Sequence, residues 1–292
     1  MIIARLAVCL ILLTPALAAA QPASPMVSAG AQTNRIKIEY APPKSASYQP
    51  LLDLLKKRRV LERLQTLLSP LLLPRDLTLK TTECGMINAW YENDVVTICY
   101  EYLDFVRKNA PKKTSSIGVT PEDALAGQTY YVFLHETGHA MFAYFDVPVF
   151  GGEEDAADQF ATYMMLQMGK DEAFPLIMGA TYTFQAFLRK PEITSSIVSF
   201  SDIHGTPAQR YFNMLCIGYG ARPDVFSEVV AKHYLPASRV PDCAFEYGAL
   251  AWAFDHLIKP HVDQELGQKM LDRSWLPTVT ARPTRPGHPP AQ

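Results

Sequence analysis

Two histidines four residues apart, in a segment that otherwise reads as a buried helix, constrain this chain more than any other feature. His135-Glu136-Thr137-Gly138-His139 puts both imidazoles on one helix face, one turn apart, where they can reach the same metal ion with Glu136 at their side. Thr120-Pro121-Glu122-Asp123 reads as the start of that helix: threonine as N-cap, proline at the first helical position and acids in the first turn. Leu125, Val132, Leu134, Met141 and Phe142 make the surroundings apolar, and Val147-Pro148 limits the far end. A polar cluster in so apolar a helix needs a partner, and a metal is the economical one.

Spacing narrows the third ligand. A histidine further along the same segment, in the pattern His-any-any-Gly-any-any-His, is excluded because Phe142 and Phe145 hold those positions. A glutamate from a second helix is the remaining common solution. After Phe150-Gly151-Gly152, the acids Glu153, Glu154 and Asp155 open a new helix, where capping alone would explain them. Asp158 separates them. A carboxylate four residues after the ligating glutamate shares its face and can accept the free ring N–H of a ligand histidine; Glu154 has that partner, whereas four residues beyond Glu153 is Ala157. Glu154 is the expected third ligand and Asp158 the residue behind the histidine.

His135-Glu136-Thr137-Gly138-His139 together with Glu154-Asp155-Ala156-Ala157-Asp158 resembles the gluzincin arrangement of thermolysin-like enzymes and many bacterial membrane-associated zinc peptidases. More closely, the chain is similar to a bacterial metallopeptidase-like group carried as a domain of unknown function. The blocks that match are Cys84 to Tyr91, the zinc segment and Gln209 to Cys216, within a resemblance running from about Arg35 to Trp275. It implies Zn2+ at His135, His139 and Glu154, and hydrolysis of peptide bonds in a peptide or protein substrate by a zinc-activated water, with Glu136 as general base. Asn88-Ala89-Trp90-Tyr91 resembles the edge strand that pairs with substrate backbone in thermolysin-like enzymes; the alternative is an ordinary internal hairpin.

A capping box, Thr206-Pro207-Ala208-Gln209, starts a later helix with His204 just before it. A histidine beside a helix N-terminus suits the stabilisation of an oxyanion, and Tyr219 is a rival donor. His204 with Arg210 also resembles the His-Pro…Arg segment of some membrane-associated gluzincins, with Gly205 in place of the proline. His233, His256 and His261 lack ligand spacing and read as surface or core histidines.

Strands come first and helices after: alternation over Arg35 to Tyr40, strands over Leu77 to Glu83, Met86 to Tyr91 and Val95 to Cys99, then mostly helical periodicity. This is an α+β plan. With the resemblance it becomes zincin-like: a small N-terminal mixed sheet whose edge strand lies over the active-site helix, followed by a mostly helical part. One domain is expected over residues 35–275, behind a signal peptide (1–20) and a flexible lead-in (21–34), with a disordered proline-rich tail (276–292).

A formal charge of -2 offers no basic field for nucleic acid, and 48% hydrophobic residues suffice for a sizeable core. The one basic run, Lys56-Lys57-Arg58-Arg59, sits in a leucine-rich pattern from Leu51 to Leu68 and reads as a solvated helix face. Arg5, the apolar run Leu6 to Leu13 and small residues before Gln21 suggest export to the periplasm or the medium, with no stable membrane span after cleavage; an uncleaved anchor is the alternative. Cys9 leaves with that segment. Cys84, Cys99, Cys216 and Cys243 remain as an even set, and proximity favours Cys84 with Cys99 and Cys216 with Cys243. Two other readings stay open: a zinc hydrolase of a non-peptide amide, and a catalytically silent scaffold that keeps zinc for stability.

Overall fold

Period-two alternation builds the sheet. Strand β1 (Ile36–Tyr40) buries Ile36 and exposes Lys37 and Glu39; β2 (Leu77–Thr82) buries Leu77, Leu79 and Thr81. With β3 (Ala89–Glu92) and β4 (Val95–Cys99) they form one sheet in the order β1-β2-β4-β3. β1, β2 and β4 are parallel and β3 runs antiparallel to β4, so the sheet is mixed and β3 is an edge. Asn93 and Asp94, with φ of 51° and 62°, make the two-residue turn between β3 and β4. This computed structural model describes residues 34–188, 201–271 and 274–285; the expected signal segment, the lead-in as far as residue 33 and the last part of the tail with His288 lie outside them.

The connection from β1 to β2 carries α1 (Gln49–Lys57) and α2 (Val60–Leu68). After β4 the described chain is helical: α3 (Tyr100–Asn109), α4 (Pro121–Phe145), α5 (Glu153–Leu166), α6 (Lys170–Leu188), α7 (Pro207–Ala221), the short α8 (Ser227–Ala231), α9 (Val240–Leu257) and α10 (Gln264–Met270). None of the described helices is long and apolar enough to cross a membrane.

Helix α4 is the centre of the molecule. It begins where the sequence predicts, with the Thr120 hydroxyl accepting from the Asp123 N–H (3.0 Å) and Asp123 Oδ2 accepting from the Thr120 N–H (2.9 Å). It packs against β3 and β4 on one side and α5 and α6 on the other, which is why Tyr131, Phe133, Leu134 and Met141 are all buried. At its far end Tyr144 donates to Asp94 (3.0 Å) and meets the Tyr91 ring edge-on, pinning the β3–β4 hairpin to the helix. At its near end α4 touches α6 backbone to backbone. A Cβ on Gly127 would stand 2.2 Å from the Leu176 carbonyl oxygen, and one on Gly179 1.9 Å from that of Asp123, so no side chain fits at either crossing point.

Two expectations need correction. The strand expected from Met86 starts at Ala89: the Glu101 carboxylate accepts the Cys84 and Gly85 N–H groups, Gly85 takes φ +79°, and Met86 and Ile87 stay exposed. The leucine-rich pattern is two helices, because Arg59 adopts a left-handed conformation (φ 53°, ψ 45°) and breaks it. In the tail, Leu276 and Val279 pack on the core, and the Arg282 and Arg285 guanidiniums lie over Trp252 and Phe245 of α9.

Cys84–Cys99 ties the approach to β3 to the end of β4, and Cys216–Cys243 ties α7 to α9. Two disulfides fit an oxidising compartment. The second closes a span of 27 residues, which by loop-closure entropy corresponds to about 3.5 kcal/mol. We expect Cys216→Ala/Cys243→Ala to lose about 2–4 kcal/mol in urea unfolding; an unchanged midpoint and slope would show that the bond contributes nothing.

Candidate metal centre

Helix α5 supplies the carboxylates. Gly151 (φ +99°) turns the chain out of the α4–α5 loop, Gly152 caps α5, and Glu153, Glu154 and Asp155 occupy its first turn. Two small residues bring this turn onto the histidine pair. The position of a Cβ on Gly138 lies only 3.2 Å from the Ala157 Cα, so Gly138 and Ala157 let α4 and α5 approach at the height of the metal motif. On the other side, the Thr206–Gln209 capping box fixes the start of α7 and sets His204 beside Glu154.

Three imidazoles converge on one oxygen. Glu154 Oε2 lies 3.0 Å from His135 Nε2, 3.4 Å from His139 Nε2 and 3.0 Å from His204 Nε2. Each histidine has a second carboxylate behind it. His135 Nδ1 is 2.7 Å from Asp158 Oδ1, His139 Nδ1 is 2.8 Å from Glu153 Oε1, and His204 Nδ1 is 2.8 Å from Asp202 Oδ1. The Asp158 approach is short but lies off the direction of the ring N–H, so it acts by charge more than as an aligned hydrogen bond. The ligand atoms of His135, Glu154 and His204 all fall within 4.8 Å of one another, close enough to share one ion.

Behind this layer is a buried polar chain. Arg210 Nε donates to Asp158 Oδ2 (2.8 Å), and its Nη2 donates to Asp158 Oδ1 (2.8 Å) and the Tyr131 oxygen (2.8 Å), while the Tyr131 hydroxyl donates to Asp158 Oδ1. Burial pushes the Asp158 carboxyl up, but His135 and Arg210 outweigh it and hold the group well below the usual carboxylate range. The bond from His135 holds Glu154 down at about 2 against its own burial. Burial would lower His135, yet Asp158 and Glu154 raise it to about 9. An imidazole with a carboxylate at each nitrogen is either a cation or a metal ligand whose N–H faces the second carboxylate. The donor set of neutral nitrogens and one carboxylate oxygen suits the second state with a divalent transition metal. Glu136 is buried next to the cluster, and burial raises its carboxyl while His135 and His139 oppose the shift.

A model of a family described as "Putative metallopeptidase" matches residues 40–258. The chain belongs to this family. No curated protein and no solved structure matches it. Family membership implies a divalent metal, and of the two groups among the described residues close enough to hold one, Cys84 and Cys99 beside Glu101 are tied up in a disulfide, which leaves the cluster of histidines around Glu154.

The structure brings together His135, His139, Glu154 and Asp158, picked out by spacing in the sequence, and His204, picked out by its place before a helix start, with Glu136 beside them. Tyr219 is not among them: it lies twelve residues into α7, about 18 Å along the axis from the end that carries His204. Asn88 and Ala89 stand where the edge strand begins, with the Asn88 carbonyl accepting from the Cys99 N–H (3.2 Å); β3 packs on α4, and its outer edge has no strand partner among the described residues. Sequence reasoning missed Tyr131 and Asp202 and gave Arg210 no contact of its own. Tyr131 had a usable signal, since it stands four residues before His135 on the same face of α4.

Proposed function

We propose that the protein is a secreted or periplasmic zinc metallopeptidase of gluzincin type, with zinc held by His135, His139 and Glu154. The convergence of three imidazole nitrogens on Glu154 Oε2, beside a buried Glu136, carries this reading. Zinc bound there supplies Lewis acidity towards a peptide carbonyl and lowers the pKa of water. Glu136 takes the proton of the attacking water, a task for which a carboxyl raised by burial is better matched, and returns it to the leaving amine. Asp158 and Glu153 fix the rings of His135 and His139. His204 has 39% of its side chain exposed, against 4% for His135 and 16% for His139, so it stands on the open side of the cluster, where an Nε2–H can meet an oxyanion. The free edge of β3 would hold an extended peptide by main-chain pairing, with Asn88 and Ala89 at the start of the contact.

The position of His204 also favours a second reading. Its Nε2 is as close to Glu154 as that of His135, and a fourth protein ligand would close the site and leave a metal that only stabilises the fold. His204→Ala separates the two. We expect it to keep near-stoichiometric zinc while kcat falls about 100-fold, whereas loss of zinc with no measurable wild-type turnover would favour the closed site.

Incubation of the purified protein with a diverse peptide library, with and without chelator, tests the activity directly. Chelator-sensitive cleavage read by mass spectrometry is the expected result. Cleavage that persists after metal analysis finds no metal, or none under any condition, would overturn the proposal.

A further inference from the structure

The basic run Lys56 to Arg59 plays no part in the metal centre: Lys56 and Lys57 are exposed in the last turn of α1, and Arg58 and Arg59 follow its end. Arg59 breaks the helix there, and the chain on both sides of the break lines a cavity of about 410 Å³ whose walls include Lys57, Arg58, Arg59, Arg63 and Met270. Arg63 is paired with Glu172, and the Glu62 carboxylate accepts the Tyr40 hydroxyl (2.9 Å). Lys57, Arg58 and Arg59 are exposed and make no ion pair with a carboxylate among the described residues. Lys57, Arg58, Arg59 and Arg63 line it against Glu62 and Glu172, so two positive charges are left over on one surface of a chain whose formal charge is -2. The position of Arg59 adds to this, since its backbone takes a conformation that glycine adopts without steric cost and that arginine rarely occupies. A charged side chain held at such a position is a reason to look for its ligand.

We propose that this cavity binds a phosphate-bearing anion, with Lys57, Arg58 and Arg59 supplying the charge. Guanidinium groups match the geometry of phosphate oxygens, and the volume admits a headgroup or a short phosphate chain. Two sources share that chemistry, an anionic lipid headgroup and a soluble polyphosphate. Met270, 45% exposed on the rim, gives the lipid source an apolar contact besides the charge. The inference is independent of the peptidase reading, because none of the three cations lies in the metal cluster.

The test compares the full-length purified protein with Lys57→Gln/Arg58→Gln/Arg59→Gly in two arms. One is co-sedimentation with mixed phosphatidylglycerol and phosphatidylcholine vesicles, with pure phosphatidylcholine as control; the other is calorimetric titration with inorganic pyrophosphate. The wild type should bind at least one probe, with affinity falling as salt rises, and the variant should lose about 100-fold. Vesicle binding without pyrophosphate binding assigns the lipid source, and the converse assigns the soluble one. Arg59→Gly alone should raise the melting temperature by releasing the backbone strain while weakening binding, which guards against reading misfolding as lost affinity. If the wild type binds neither probe, or the triple variant binds as well as the wild type, the proposal is wrong.

Discussion

Glu136→Gln should leave the metal in place and abolish hydrolysis. The substitution keeps the size of the side chain, and Glu136 is none of the groups that converge around Glu154 Oε2, so metal content should stay near that of the wild type. What it removes is the proton acceptor of the proposed mechanism. General-base catalysis accounts for roughly 100- to 10,000-fold of a rate, and a loss of at least that size in kcat/KM is expected on the best peptide found in the library. His139→Ala and Glu154→Ala should lose the metal as well. The contrast between variants is the informative measurement: turnover by the glutamine variant at the wild-type rate would remove Glu136 from the mechanism, and loss of zinc from it would make Glu136 a ligand.

Arg210→Leu should have the largest effect on stability. The guanidinium makes two bonds to Asp158 and one to Tyr131 in a largely buried site, and burial alone would push the Asp158 carboxyl up. Removing it takes one of the two cations from a buried carboxylate and leaves it to His135 and the Tyr131 hydroxyl, a change expected to cost about 3 kcal/mol. Metal affinity should fall too, by about 10–100-fold, because Asp158 would no longer be held behind His135. Urea unfolding of the metal-free protein gives the first quantity and competition with a chelator of known affinity gives the second. The double variant Arg210→Leu/Asp158→Leu separates them: stability should recover while metal affinity stays low. If affinity recovered together with stability, Arg210 would serve the fold and not the orientation of His135.

The parts of this site that the sequence made legible are those governed by local periodicity. His135 and His139 share a helix face because they are four apart, the same rule selected Glu154 through Asp158, and both helix starts, at Thr120 and Thr206, appear where their residue types predict. The pairing of Cys84 with Cys99 and of Cys216 with Cys243 followed from nearness along the chain. What escaped notice depends on distant segments meeting. Arg210 lies 52 residues from Asp158 and 79 from Tyr131, and no periodicity couples them. The break at Arg59 was hidden by a leucine pattern that continues in register through α2, and a positive φ at arginine carries no signal of its own. In the tail, proline forbids helix but not packing, and the Arg282 and Arg285 guanidiniums over Trp252 and Phe245 join it to α9.

The carboxylates behind the histidines have a thermodynamic consequence. Glu153, Glu154, Asp158 and Asp202 all converge on three imidazoles, with Glu136 nearby and Arg210 as the one guanidinium bound among them. Mutual repulsion among so many acids would be relieved by a divalent cation, which would make the ion a counter-charge for the interior. Folding and metal binding are then linked: free metal at a hundredfold excess over its dissociation constant adds about 2.7 kcal/mol to the folded state. The stability of this protein is therefore a property of the chain together with the free metal concentration of its compartment.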